Sequence, residues 1–272
     1  MDEFLSFAET MPAWQKAVWV FVCLSLCWLL EAGFPLFRFD YRKWRHAGVN
    51  FVFLGTSMLI NTLFSLATAG LFVWLDASGF GLLRWTDLSV WAELAISLLL
   101  FELIAQYTIH RIEHRVKWMW KFHMIHHSDT HLDATSGTRH HPGDYILREL
   151  AALVVILVTG VPAAFYFVYR LLTVFFTYIT HANIRMPDTL DRVLSYVFVT
   201  PNMHKFHHHH RRPWTDTNFG NMFSVWDRLF GTFVYDDPVK IRFGLDVLDD
   251  KRDEDVGYQM GIPFDRTVKT DY

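Results

Sequence analysis

The chain has 272 residues, 52% hydrophobic, 17% aromatic and 19% charged, with a formal net charge of −3. Soluble domains carry about 25% charged and roughly 45–50% apolar residues, so this composition excludes a disordered chain and an ordinary soluble enzyme. The small net charge gives no reason to expect nucleic acid as a partner.

In chain order, Asp2, Glu3 and Glu9 stand where a secretory leader would be basic, so no secretory signal is expected. The first apolar stretch, 14–36, is interrupted only by Lys16 and Glu31. It holds both cysteines, Cys23 and Cys27, which share a helix face and read as packing residues rather than a disulfide framework. His46 follows, read as an interfacial polar group. The second stretch, 49–75, has no charge, and the third, 88–109, has Glu93 and Glu102. The fourth, 150–179, has only Arg170. Each reaches the roughly 20 residues that cross a hydrocarbon core. The fourth is too long for one untilted crossing and contains Gly160-Val161-Pro162, which predicts a break. A helical hairpin returning to its starting side also suits His141 before the stretch and His181 after it.

Basic residues set the orientation. Arg38, Arg42, Lys43 and Arg45 follow the first stretch, and Arg111, Arg115, Lys117 and Lys121 follow the third. The loop between the second and third holds only Arg84, and the hairpin tip holds none. The predicted fold is an all-α integral membrane protein with about four transmembrane segments, the last a hairpin, under a cytosolic helical histidine-rich cap. One domain over 1–272 is expected: membrane helices over 1–109, a histidine-rich catalytic part over 110–235 with the hairpin at 150–179, and a polar tail over 236–272. That tail reads as a solvated extension, with a cover over the site as the alternative. The short termini suit a bacterial inner membrane rather than endoplasmic reticulum.

Fourteen of the 15 histidines lie between His110 and His210. His110-x-x-x-His114, His123-x-x-His126-His127 and His204-x-x-His207-His208 have helical spacing, so each set shares one face. Eight neutral imidazoles without a metal would leave ring nitrogens unpaired, at about 1–3 kcal/mol each when buried. They exceed one structural zinc site and suit two metals. Imidazole favours Fe, Cu, Ni or Zn, of which Fe and Cu commonly activate O2. No Glu-x-x-His spacing appears, which argues against the soluble carboxylate-bridged di-iron bundle. No GxGxxG or P-loop is present, so electrons are expected from a separate donor.

The order of these clusters between hydrophobic helices resembles the membrane-bound fatty acid hydroxylase / sterol desaturase superfamily over 102–233. Further matches are His126-His127-Ser128-Asp129, Arg139-His140-His141-Pro142, His181-Ala182-Asn183, Asn218-Phe219-Gly220 and the closing Trp226-Asp227-Arg228-Leu229-Phe230-Gly231-Thr232. The resemblance implies a non-haem centre of two iron ions that uses O2 and external electrons on a lipid C–H bond, by hydroxylation or desaturation. It implies an apolar lipid substrate in the bilayer and a reductase, ferredoxin or cytochrome b5-like donor. Its ligands carry over to His110, His114, His123, His126, His127, His204, His207 and His208, then His181, with His141 as a further match. Asp144 stands where the family usually has Glu. Asp129, Asp144 and Asp227 are the expected carboxylate partners of the ligands, with Asp216 a further candidate. Glu113, one position before His114, is expected to face away at the surface. Asn218 and Trp226 read as architecture, and His131, His140, His209 and His210 as non-ligands. Ether-lipid (alkylglycerol) cleavage and carotenoid hydroxylation are alternatives within the superfamily. A metal transporter or store is the alternative from another class, disfavoured because the histidines fall mostly outside the apolar runs.

Overall fold

The computed structural model describes residues 2–270. The chain forms α1 (Asp2–Thr10), α2 (Ala13–Gly33), α3 (Lys43–Ser78), α4 (Val90–Phe101), α5 (Ile109–Glu113) and α6 (Lys117–His127), with a π-helical segment, Glu102–Thr108, joining α4 to α5. Then follow α7 (Pro142–Thr159), α8 (Ala163–His181), α9 (Asp188–Leu194), α10 (Pro201–His207), α11 (Val225–Leu229) and α12 (Val256–Gly261). Among the described residues there is no strand beyond two isolated bridges.

Four helical spans are long and apolar enough to cross a membrane: Trp14–Gly33, Lys43–Trp85, Val90–Glu113 and Ala163–His181. Between 22 and 39% of each span's apolar window is buried by the protein. Leu59, Leu63, Leu66 and Val73 of α3 stay largely exposed, a surface that hydrocarbon satisfies and water does not.

The expected hairpin is present as α7 and α8. Gly160 ends α7 in the left-handed conformation, φ 66°, where the absence of a Cβ removes the usual penalty. Gly81, φ 128°, packs against it so tightly that a Cβ there would lie 2.3 Å from the Gly160 Cα. The Arg84 guanidinium donates to the Gly160 carbonyl at 2.8 Å. The hairpin tip therefore meets the α3–α4 loop at the end of the bundle opposite the histidines. At the histidine end, Glu31 of α2 accepts from the Ala134 and Asn183 amides at 2.6 and 2.8 Å.

The structure departs from two of the expectations. His46 is fully buried, with Nε2 2.8 and 2.9 Å from the two Asp129 oxygens and Nδ1 3.4 Å from Asp133. It fixes the start of α3 to the loop after α6, because burial of two carboxylates demands a partner. The tail is a cover rather than a solvated extension. Leu245 and Ile262 pack on Trp120, Met124 and Ile125 of α6, the Asp253 carbonyl accepts from Arg139 at 3.0 Å, and Gln259 accepts from Ser128 at 2.9 Å. Cys23 and Cys27 are buried free thiols in the α2–α8 packing.

Candidate metal centre

Four helices, α5, α6, α8 and α10, deliver the histidines. The π-helical turn widens the helix where Gln106 and, one turn on, His110 face a common cavity; such turns recur at functional sites. His114 closes α5. His123, His126 and His127 occupy the last turn of α6. His181 ends α8. Thr200 caps α10 and Pro201 starts it, which aims His204, His207 and His208 from a helix of seven residues.

These nine residues meet as two groups. His110, His114, His123, His127 and His207 bring their ring nitrogens within 4.8 Å of one another, and so do His126, His181, His204 and His208. All nine are buried. In the first group, Nε2 of His123 lies 3.0 Å from that of His110 and 3.1 Å from that of His127. In the second, Nε2 of His181 lies 3.1, 3.2 and 3.1 Å from those of His126, His204 and His208.

The tautomers make these distances informative. His110 Nδ1 donates to the Phe219 carbonyl at 2.8 Å, and His123 Nδ1 to the Asp144 carboxylate at 3.2 Å. Both Nε2 atoms are therefore bare lone pairs, facing each other. His207 Nδ1 donates to the Thr217 carbonyl at 2.8 Å, and its Nε2 is buried with no hydrogen-bond partner. His181 Nδ1 donates to the Thr177 carbonyl at 2.7 Å, so its Nε2 also presents a lone pair. Lone pairs converging at 3.0–3.2 Å repel unless a cation lies between them, and bonds of about 2.1 Å to one shared ion produce such spacings. Burial, reinforced by neighbouring imidazoles, holds His126, His127, His204, His207 and His208 well below the usual histidine range. Burial also pushes His123 down to about 3. The donor set is neutral and unprotonated, as a soft-to-borderline cation requires. The residues fit two metal ions.

The carboxylates sort differently from expectation. Asp144 bonds His123, and also His140 by a very short contact. Asp216 lies 3.2 Å from His114 Nδ1. Asp129 touches none of the nine histidines; it holds His46, Ser136 and Arg139 instead. Asp227 acts one step removed, accepting from the Phe219 and Gly220 amides at 2.8 and 3.0 Å and so fixing the loop whose carbonyl serves His110. Glu113 is buried, not at the surface: it pairs with Arg148 at 2.6 Å and lies 3.8 Å from His123 Nδ1. Its partner stands on a neighbouring helix, which periodicity along α5 cannot reveal.

His141 is not brought to either group. Pro142 opens α7, so His141 becomes its N-cap, with Nδ1 accepting from the Gly143 amide at 3.0 Å and the ring against Phe122 and Phe264. His131 packs on Tyr41, and His209 and His210 pair with each other outside the groups. Asn218, φ 53°, is architecture: its amide donates to the Met203 and Val234 carbonyls at 2.8 Å each. Trp226 stacks on Phe230.

Sequence reasoning missed two residues. His140 stacks on His126 at 4.4 Å between centroids, in front of the second group. Glu102 accepts the backbone amides of Asn221, Met222 and Phe223, tying the π-helical segment to the loop beyond Gly220. A carboxylate inside an apolar run was the signal for Glu102. His140 stood inside the Arg139-His140-His141-Pro142 match but read as a non-ligand. His110, His126, His140, His181 and His204 line one end of a cavity of about 200 Å³ that continues between α3, α7 and α8.

The fatty acid hydroxylase family model matches residues 94–232. Over 127 residues the chain is 30% identical to ornithine lipid hydroxylase OlsE of Rhizobium tropici, covering 47% of this chain and 38% of that protein. Over 145 residues it is 30% identical to alkylglycerol monooxygenase of Caenorhabditis elegans, covering 52% of this chain and 27% of that protein. Over 149 residues it is 26% identical to a cholesterol 25-hydroxylase-like protein of Danio rerio, covering 54 and 57%. The matched part thus spans 27–38% of the length of the first two relatives. No solved structure matches the chain. The family match begins in α4 and ends at Thr232, so it takes in all nine clustered histidines, and the chain belongs to the fatty acid hydroxylase family.

Proposed function

We propose that the chain is a membrane-bound non-haem di-iron oxygenase that hydroxylates or desaturates a C–H bond of a lipid, using O2 and electrons from a separate donor. The observation that carries this reading is the placement of two groups of buried imidazoles at the end of a cavity walled by membrane-depth helices. His110, His114, His123, His127 and His207 would hold one iron; His126, His181, His204 and His208 would hold the other. Two irons bound there would activate O2, and O2, with electrons from the donor, is the oxidant that breaks the C–H bond.

The remaining work belongs to the protein's own residues. The Phe219 and Thr217 carbonyls and the Asp144 carboxylate fix ring orientation and tautomer, so that Nε2 of His110, His207 and His123 faces inward. Arg148 pairs with Glu113 and Asp144, which keeps both carboxylates behind the histidines rather than among them. Leu54, Met58, Ala105, Ala152 and Val174 give the cavity an apolar wall that receives a hydrocarbon segment and keeps water from it.

The chain works as one domain in this reading, with the tail closing over α6. The positive-inside rule places the histidine end in the cytoplasm, since Arg38, Arg42, Lys43 and Arg45 lie at that end. A bacterial inner membrane is supported by the rhizobial relative. A reductase, ferredoxin or cytochrome b5-like protein is the electron donor. Within the family, the alkylglycerol monooxygenase relatives favour an ether lipid as a second substrate reading.

The test is iron-reconstituted protein in lipid nanodiscs, supplied with a reductase, a reductant and a lipid extract. The expected result is lipid-dependent O2 uptake and a product heavier by one oxygen or lighter by two hydrogens. Failure to retain a redox metal, or O2 uptake indifferent to lipid, sinks the reading.

A further inference from the structure

The cavity that ends on the histidines carries, along the same wall, an ion pair that the metal centre does not use. Arg170 Nη1 lies 2.6 Å from Glu149 Oε1, joining α8 to α7. Its Nη2 donates to Asn61 Oδ1 of α3 at 3.0 Å and to the Tyr145 hydroxyl at 3.1 Å. Arg170 and His181 are eleven residues apart on α8, which is about three turns, so they share a face and stand about 16 Å apart along the axis. Thr173, Val174 and Thr177 line the cavity between them. The result is a slot with imidazoles at one end and the ion pair further along.

The ion-pair region lies at the mouth. Asn61 is exposed and Met58 beside it is 43% exposed, both on a helix that is apolar enough to cross a membrane. An ionisable pair at this depth is costly, and apolar replacements of a buried pair are often neutral or stabilising. Its place on a cavity wall, rather than sealed in a helix seam, gives the cost a purpose.

We propose that Arg170, Glu149 and Asn61 form a subsite for a polar group of the substrate. The substrate is then an uncharged lipid with a hydrogen-bonding group up to about 16 Å from the carbon presented to the histidines. This rests on the lipid-oxidising reading above only for which end of the lipid reacts. The chemistry follows from the charge balance. Glu149 neutralises Arg170, so a carboxylate or phosphate entering from the bilayer meets no net positive charge to offset its desolvation. The subsite offers guanidinium and amide donors beside a carboxylate acceptor. A hydroxyl, which both donates and accepts, satisfies both.

The test measures binding to the purified protein in nanodiscs by displacement of a fluorescent lipid, using hexadecanol, hexadecane and palmitate. Hexadecanol is expected to bind about tenfold more tightly than either of the others, the worth of one well-placed hydrogen bond. Replacing the pair together, Arg170→Met with Glu149→Leu, leaves no lone charge and is expected to erase that preference. Asn61→Leu, at the exposed mouth where folding is not at stake, is expected to reduce it. Equal binding of hexadecane, tighter binding of palmitate, a preference that survives replacement of the pair, or one left undiminished by Asn61→Leu overturns the proposal. The measurement needs neither bound metal nor turnover. A protein that binds hexadecanol selectively but oxidises nothing therefore defeats the oxygenase reading and leaves the subsite standing.

Discussion

The two histidine groups are built from the same residue type but are braced differently. In the first, His110, His114, His123 and His207 each have a carbonyl or carboxylate behind Nδ1, at 2.8–3.2 Å. In the second, His181 has the Thr177 carbonyl, while Nδ1 of His126 and of His204, like that of His127 in the first, is buried with no hydrogen-bond partner. The second group gives His126, His181 and His204 to the cavity wall; the first gives His110. Bracing fixes tautomer and raises ligand basicity. The contrast therefore separates a group with four of its five rings braced from a less braced one that gives more of its rings to the cavity wall.

The largest expected effect comes from removing the centre of the less braced group. His181 Nε2 faces three of the other donors, so His181→Ala should lower bound iron by roughly half, with the braced group still filled. Metal analysis by mass spectrometry reads this directly. Loss of both irons would show that the two groups are not separable.

A smaller effect sharpens the difference in bracing. In a chelator titration of the wild type, iron should leave in two phases, the less braced group first. Asp144→Asn should weaken the braced group by about 10–100-fold and merge the phases. A single phase in the wild type breaks the comparison.

The smallest effect concerns the loop behind His110. Burial pushes Asp227 up to about 6, although Thr232 and two backbone amides donate to it. An unfolded Asp titrates near 3.9. The folded state thus holds the proton more tightly, and stability should fall as pH rises from about 4 to about 6. Asp227→Asn should flatten that stretch of the melting-temperature profile. An unchanged slope would assign the pH dependence to other groups.

Much of this was legible because it is local. The 3–4 spacing in His123, His126 and His127 sets a shared face whatever surrounds α6, and the same holds for His204, His207 and His208. Gly160-Val161-Pro162 ended one helix and began another for backbone reasons alone. Where a partner came from another segment, the sequence was silent or misleading. Glu113 was read against His114 but serves Arg148 and sits beside His123. Asp129, two residues after His127, turns to His46 some eighty residues earlier in the chain. His141 carries a family pattern, yet the demand of a helix start for a cap claims its ring nitrogen.

Composition and spacing by themselves determined a membrane-embedded helical protein with converging imidazoles, since hydrophobic length and helical periodicity act within a few turns. The division of nine histidines into groups of five and four was decided only when α5, α6, α8 and α10 packed together. So was the ion pair of Arg170 and Glu149 on the wall of the same cavity. Both depend on distances between residues far apart in sequence, and those distances exist only after the hydrophobic faces of the helices have chosen their neighbours.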